Sequence, residues 1–329
     1  MYRKILVTGG TAVAGSALKS IHTSEYPDRD FVFIGSRDCN LLDSGATLDF
    51  IRQVKPDAII HFAAISGGIG LSIKHPASIL RDNVLLNFNV IEAARLYGVK
   101  KTVMTLTTGM YPPDAPLPLK ESCIHDGPPH GSNYGSSFAK RLVEPMVRAY
   151  REEYGMNVIG LVPNGIFGEN DNFNEDDAPM VPTLIRRFYE NRDTDAPITL
   201  WGDGSPLREY TYAKDVARAF MWCLDNYDED SILHTGTTEE LSVKDMALLI
   251  AEFTGVDSSR IVFDTSKSNG IYRKNSDNSR FVSLSGFRYT PFKDGLRETV
   301  RWFRETMESA PHLIRTAAKS TALKGAPRG

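Results

Sequence analysis

Short apolar runs alternate with longer stretches of mixed polarity through the first half of the chain. Lys4–Thr8, Phe31–Ile34, Asp57–Phe62, Lys101–Thr107 and Met156–Val162 are brief, rich in β-branched residues and bounded by turn formers, as strands buried on both faces are. Between them, Val13–His22, Ala46–Val54, Ala77–Tyr97 and Ser137–Tyr154 carry apolar side chains at helical spacing. Gly98 and Gly155 stand where a helix end favours a residue free to take positive φ. The alternation predicts an α/β protein: a doubly wound, parallel Rossmann sheet with right-handed crossovers.

Beyond Pro163 the pattern loosens. Glycine, proline and acidic residues fill Gly165–Pro182, and helices are expected at Thr183–Glu190, Lys214–Asn226, Val243–Thr254 and Asp294–Met307, with a strand near Ser231–Thr235. Residues 1–163 read as the dinucleotide-binding domain. Residues 164–309 read as a smaller α/β substrate lobe, interleaved with the last strands of the sheet. From Ala310 the chain carries Arg315, Lys319, Lys324 and Arg328 with no acid after Glu308. Residues 310–329 therefore read as a disordered or vector-derived tail rather than a functional basic arm.

Composition narrows the class. With 329 residues, 41% of them hydrophobic, the chain can bury one large core or two modest ones. A net charge of −3 speaks against a general nucleic-acid or membrane-surface binder. No apolar run is long enough to span a bilayer, and Met1-Tyr2-Arg3-Lys4 leads straight into a strand rather than a signal-peptide core, so the expected location is cytoplasmic. Cys39, Cys123 and Cys223 are scattered without metal-ligand spacing and fit a reducing compartment; no metal site is expected.

The first predicted strand runs into Gly9-Gly10-Thr11-Ala12-Val13-Ala14-Gly15 and then a helix. Gly9 permits a tight turn, Gly15 lets helix and strand pack closely, and free amides at Thr11, Ala12 and Val13 face a pyrophosphate. Ala12 places a methyl where a glycine is usual. The second strand ends in Gly35-Ser36-Arg37-Asp38. Arg37 suits a 2′-phosphate and favours NADP(H), while Asp38 keeps NAD(H) open. Asp43 is placed to meet the adenine, Ala63 and Ala64 to lie beneath the cofactor, and Pro163 to border it. His61, within a strand, reads as a satisfied core histidine.

Several motifs then point to a family. Gly67-Gly68-Ile69, Ile124-His125-Asp126-Gly127-Pro128-Pro129-His130, Asp171-Asn172-Phe173-Asn174, the stretch from Trp201-Gly202-Asp203-Gly204 to Arg208-Glu209, and Phe287-Arg288-Tyr289-Thr290-Pro291-Phe292 lie in order along the chain. From Arg3 to Phe303 the sequence resembles the extended short-chain dehydrogenases/reductases, and among them the GDP-L-fucose synthases, which act as epimerase-reductases on GDP-4-keto-6-deoxymannose. The resemblance implies that Leu184, Arg187, Trp201, Arg208 and Lys274 hold a nucleotide diphosphate sugar, a GDP-sugar in this family. Arginine forks and a lysine point charge suit two phosphates. It also implies a homodimer formed through Ala77–Tyr97 and Ser137–Tyr154.

The catalytic positions depart from the family. The resemblance implies a tyrosine four residues before Lys140, but Ser136 stands there. Lys140 remains to hold the nicotinamide ribose, and Thr107 keeps a hydroxyl at the end of the fourth strand. Tyr134, six residues before Lys140, sits about 120° away around a regular helix and substitutes only if the helix begins irregularly. The family's epimerising cysteine and histidine are Gly109 and Pro179, neither able to move a proton. Cys123 and His125 read as loop structure, and Glu175-Asp176-Asp177 as a solvated loop. Two readings stay open: an NAD(P)H-linked oxidoreductase on a GDP-4-keto sugar without 3,5-epimerase activity, or a pseudoenzyme that binds cofactor and nucleotide sugar as a regulatory or partner subunit.

Overall fold

The computed structural model describes residues 2–316. Five strands of the first half, β1 (Lys4–Thr8), β2 (Asp30–Ile34), β3 (Ala58–His61), β4 (Lys101–Thr105) and β5 (Val158–Val162), are joined by a later one, β9 (Leu233–His234), in a single parallel sheet ordered β2-β1-β3-β4-β5-β9. The crossovers run through α1 (Val13–Glu25), α2 (Ser44–Val54), the pair α3 (Ile69–Lys74) and α4 (Pro76–Leu96), and the pair α5 (Tyr134–Arg141) and α6 (Val143–Tyr154). Successive strand residues point to opposite faces. Ile5, Val7, Ala58 and Ile60 pack under α1, whereas Leu6 and Ile59 meet Ile51, Val90 and Ala94 from α2 and α4. Winding reverses between β1 and β3, which opens a crevice at the carboxyl ends of those strands.

The remaining elements build the smaller lobe. β6 (Gly165–Phe167), β8 (Leu207–Tyr212) and β10 (Glu240–Ser242) form one small sheet, and β7 (Ile198–Trp201) pairs with β11 (Ile261–Asp264) in another. They pack with α7 (Met180–Glu190), α9 (Val243–Thr254) and α11 (Phe292–Ser309) around Phe167, Phe173, Phe188, Ile250, Phe292 and Phe303. Two further helices, α8 (Ala213–Asn226) and α10 (Ser279–Ser285), return to the large sheet beside α1 and β9. The lobe is thus interleaved with the sheet domain.

The structure amends three expectations. The helix expected over Ser137–Tyr154 is two helices, because Pro145 has no amide to donate to the Arg141 carbonyl one turn back. The fourth strand stops at Thr105, and Thr107 instead starts a 3₁₀ turn at Thr108–Met110. The tail does not begin at Ala310: Pro311–Leu313 form a 3₁₀ turn, Ile314 is buried, and Phe173 N donates to Arg315 O at 2.9 Å. Residues 317–329 lie outside the described residues.

Asn164, just past β5, joins the two lobes. Its amide donates to Glu209 Oε2 (3.1 Å) and Thr237 O (2.6 Å), and its carbonyl accepts from Thr211 Oγ1 (2.6 Å). All of these side chains are buried. Asn164→Ala leaves several buried polar groups short of a partner and is expected to lower the unfolding free energy by about 2–4 kcal/mol. Urea denaturation measures this, and an unchanged midpoint would show that the lobes are held together elsewhere.

Candidate functional site

The crevice between β1 and β3 is closed at its floor by two glycines. Gly9 has φ +70°, and a Cβ there would lie 2.7 Å from Ala63 N; a Cβ on Gly15 would lie 2.3 Å from Gly9 O. The close approach brings the start of α1 to the sheet edge. Ala12 is its N-cap, offers no side-chain acceptor, and no acid occupies the first turn. Contrary to the expectation of a free amide at Ala12, its N–H donates to Gly9 O at 2.9 Å; the amides of the first helical turn, from Val13 on, keep the dipole's positive end uncompensated, a site for an anion. Thr11 packs on Gly35, where a Cβ would sit 3.0 Å from Thr11 Oγ1.

At the end of β2, Asp38 is drawn into its own turn and accepts from Gly35 N at 2.8 Å. Arg37 is exposed and makes no hydrogen bond or ion pair among the described residues. Asp43 caps α2, accepting from Ala46 N at 2.9 Å through Oδ1. Ala63 follows β3 and donates from N to Thr8 Oγ1 at 3.3 Å, with Ala64 next to it; Pro163 is buried just past β5. These groups line the carboxyl edge of the sheet. Among the described residues no cluster of histidine, cysteine or carboxylate side chains could hold a metal ion.

The catalytic end is organised by Lys140 on α5. Its ammonium donates to Thr105 O at 2.8 Å, and burial pushes its pKa down to about 8. Thr105 Oγ1 donates in turn to His61 O at 2.7 Å. His61 is spent on structure: Nδ1 bonds Thr8 Oγ1 (2.7 Å) and Nε2 bonds Asn87 Oδ1 (3.1 Å). Burial, then the nearby Lys140 charge, pushes its pKa down to about 3, so the ring is neutral. Thr107 Oγ1 accepts from Gly109 N at 3.3 Å, which leaves its own O–H to donate outward.

Ser136 is one turn before Lys140, and its hydroxyl donates to Asn133 O at 3.2 Å. Ser137, which sequence reasoning passed over, donates to Gly109 O at 2.9 Å and so ties α5 to the loop after β4. Its spacing of three residues from Lys140 is the signal that could have found it. Tyr134 opens α5 with helical φ and ψ, is 52% exposed, and packs its ring on Phe138 at 4.8 Å between centroids. The irregular helix start needed to carry its phenol toward Lys140 is absent. Pro179 is the N-cap of α7, without a side-chain cap.

The smaller lobe supplies cations. Arg208 on β8 donates to Leu207 O (2.7 Å) and Tyr272 O (3.3 Å), and burial lowers its pKa. Lys274 is pushed down to about 8, first by burial and then by Arg208. Neither forms an ion pair among the described residues. Glu209 points to the other face of the strand, where it accepts from Asn164 and from Ser276 N and Oγ; burial raises it to about 7. Arg187, on α7, donates to Thr199 O of β7 at 3.3 Å; Leu184 is buried in α7, and Trp201 at the end of β7 is 72% exposed. Arg208 thus acts electrostatically on Lys274, while Arg187 is anchored on β7.

Residues 5–235 match the NAD dependent epimerase/dehydratase family. A GDP-L-fucose synthase of Dictyostelium discoideum is 36% identical over 315 residues, covering 94% of this chain and 97% of that protein. The crystal structure of a GDP-L-fucose synthetase from Naegleria fowleri bound to NADP superposes with a TM-score of 0.88 at 33% identity, over 95% of this chain and 96% of that one. A GDP-mannoheptose C4 reductase from Campylobacter jejuni with NADP bound gives 0.82 at 25% identity, over 92% and 98%. By these matches the chain belongs to the NAD-dependent epimerase/dehydratase family and, within it, to the GDP-L-fucose synthase group.

Proposed function

We propose that the protein binds NADP(H) and a GDP-linked 4-keto sugar and reduces the ketone without epimerising the neighbouring carbons. The observation that carries this reading is the Arg208–Lys274 pair. Two half-buried cations, both lowered by burial and Lys274 lowered further by Arg208, have no carboxylate partner among the described residues, an arrangement that favours a bound polyanion such as a diphosphate. Arg37, free beyond β2 while Asp38 is engaged, supports the 2′-phosphate form of the cofactor. The relatives of known structure named above carry NADP.

NADPH, when bound, supplies a hydride to the carbonyl carbon. The chain's own residues handle the proton. Thr107 donates its free O–H to the carbonyl oxygen, and Lys140, which still holds two N–H groups beyond its bond to Thr105, binds the ribose and is the nearby acid able to restore the proton through a water or the Ser136 hydroxyl. Gly109 and Pro179 offer no group to remove or return a proton at the carbons beside the ketone. A second reading, binding without turnover, draws on Ser136: its hydroxyl is engaged with Asn133 O and is far less acidic than a phenol.

Four outcomes follow from these assignments. Titration with GDP is expected to show a dissociation constant raised about tenfold or more by Arg208→Ala or Lys274→Ala, as loss of a charge-assisted contact requires. Equal affinity in the variants would remove the pair from the site. With NADPH and GDP-4-keto-6-deoxymannose, cofactor oxidation should be slower by about 10²–10⁴-fold than with a phenolic acid, and Ser136→Tyr should recover much of it. Because the lysine must be an ammonium, turnover is expected to fall as pH rises through about 8. Solvent deuterium should not enter the carbons beside the ketone. Binding of both ligands without oxidation above a Lys140→Ala control selects the second reading, and failure of either to bind defeats both.

The exposed Leu85 and Phe88 on α4, Leu142 between α5 and α6, and Tyr154 at the end of α6 support a homodimer through these helices. Sedimentation equilibrium is expected to return twice the chain mass, and a monomer at micromolar concentration would exclude this.

A further inference from the structure

Three side chains of α5 grip the segment that follows β4. Lys140 and Arg141 lie three and four residues after Ser137, so all three share one face of the helix. Each donates to a main-chain carbonyl of that segment. Ser137 Oγ bonds Gly109 O at 2.9 Å, Lys140 Nζ bonds Thr105 O at 2.8 Å, and Arg141 Nε bonds Met110 O at 3.0 Å. The bonds bracket Thr107, one before it in the chain and two after it.

Arg141 does more than close the turn. It is buried, and its guanidinium meets the main chain at two places: Nε and Nη2 both reach Met110 O, and Nη1 donates to Gly127 O at 2.7 Å. The guanidinium also lies over the Phe138 ring, 5.3 Å from its centroid. Met110 N in turn donates to Thr107 O at 3.2 Å, and Thr107 Oγ1 accepts from Gly109 N at 3.3 Å. The turn that presents Thr107 is therefore fastened at its far end to α5. Hydrogen bonds from an ionised donor are roughly twice as strong as neutral ones, so the guanidinium holds Met110 O more firmly than Ser137 holds Gly109 O. A lysine would supply a point charge without the fork that meets Met110 O and Gly127 O together.

We propose that Arg141 is a positioning residue: through Met110 O it fixes the turn that aims the Thr107 hydroxyl at the reacting carbonyl, at a set distance from Lys140 on its own helix. The proposal rests on the reading that a 4-keto sugar is reduced here. Its physical basis is the shared helix. Lys140 and Arg141 are consecutive on α5, so any shift of the helix carries the cofactor lysine and the Thr107 turn together. Hydroxyl and ammonium thereby keep their relative geometry. That matters because a misplacement of about 1 Å costs a reaction on the order of 10²-fold in rate.

The test is a double-mutant cycle in the full chain between Arg141→Lys and Thr107→Val, read as NADPH oxidation with saturating GDP-4-keto-6-deoxymannose. Arg141→Lys alone is expected to lower kcat about tenfold, while the dissociation constants for GDP and NADPH change by less than about twofold. In the Thr107→Val background the same substitution should cost less than about twofold, because the hydroxyl it positions is gone. An equal loss in both backgrounds overturns the proposal, since Arg141 then acts otherwise than through Thr107. Where Arg141→Lys fails to fold, Ser137→Ala serves as the second variant and should show the same dependence on Thr107 with a smaller loss of about threefold. Amide exchange at Met110 and Tyr111 decides independently of turnover: about tenfold faster exchange in Arg141→Lys supports the tie, and unchanged exchange overturns it. If the unaltered protein binds both ligands but oxidises no NADPH, the reductase reading fails by itself, and the exchange result still decides whether Arg141 holds the turn.

Discussion

A methyl group does not fit where the first strand hands over to the first helix. Gly15 lies against the Gly9 carbonyl, and Gly9 lies against the backbone of Phe62 and Ala63. This contact carries the start of α1 to the carboxyl edge of the sheet and, in the same step, fixes the segment leaving β3. Everything at the cofactor end follows from it. The uncapped amides of the first turn, from Val13 on, come to the crevice only because the helix is seated so low. The adjoining Thr8 hydroxyl is near enough to bond both Ala63 N and the His61 ring, and His61 thereby becomes a neutral spacer between β1 and Asn87 rather than a base.

The second constraint is charge. Lys140, Arg208 and Lys274 are each taken far enough out of water to lower their affinity for a proton, and no carboxylate relieves them. The nearest acid by sequence, Glu209, is turned to the opposite face of its strand and consumed by Asn164 and Ser276. That arrangement does two things at once. It keeps the cationic face of β8 uncompensated, and it fastens the segment bearing Lys274 to the same asparagine that ties the lobe to β5. The grip on an anion and the junction of the lobes share Asn164 and Glu209, so the position of the cations relative to the cofactor crevice is set by buried hydrogen bonds rather than by surface contacts.

Much of the fold was legible because buried parallel strands and amphipathic helices announce themselves by period. β1 was read residue for residue, and the turn at Gly9 followed from it. What local pattern could not reveal depends on distant partners. Ile314 lies beside Leu313 in a tail without helical or strand periodicity, and its burial depends on the distant core around Phe173. Asp177 looked solvated within an acidic run, and it is buried because the Asn172 and Asn174 side chains fold the loop onto it. The helix break before α6 was legible in principle, since Pro145 withholds an amide, yet a proline this near a helix start is also compatible with an unbroken reading. Arg208 and Lys274 were named through family resemblance alone; nothing in their spacing singles out residues this far apart. Ser137 was missed although it lies one helical turn from Lys140.

The residues that depart from the family pattern sit in a frame that has not given way around them. Gly135, next to Ser136, admits no side chain, since a Cβ there would be 2.3 Å from Pro76 O; α5 is therefore seated hard against the start of α4, and the direction in which residue 136 projects is fixed. Gly109 is different in kind. Its backbone lies outside the positive-φ region, and a Cβ would find only ordinary contacts, 3.6 Å from Thr107 Oγ1 and 3.7 Å from Ser137 Oγ. Neither the turn nor its packing requires glycine at 109. A helix N-cap likewise accepts many residues at 179. The backbone at 109 thus has room for a larger side chain. Three cations that meet no carboxylate among the described residues leave this frame with uncompensated positive charge, which favours an anionic ligand.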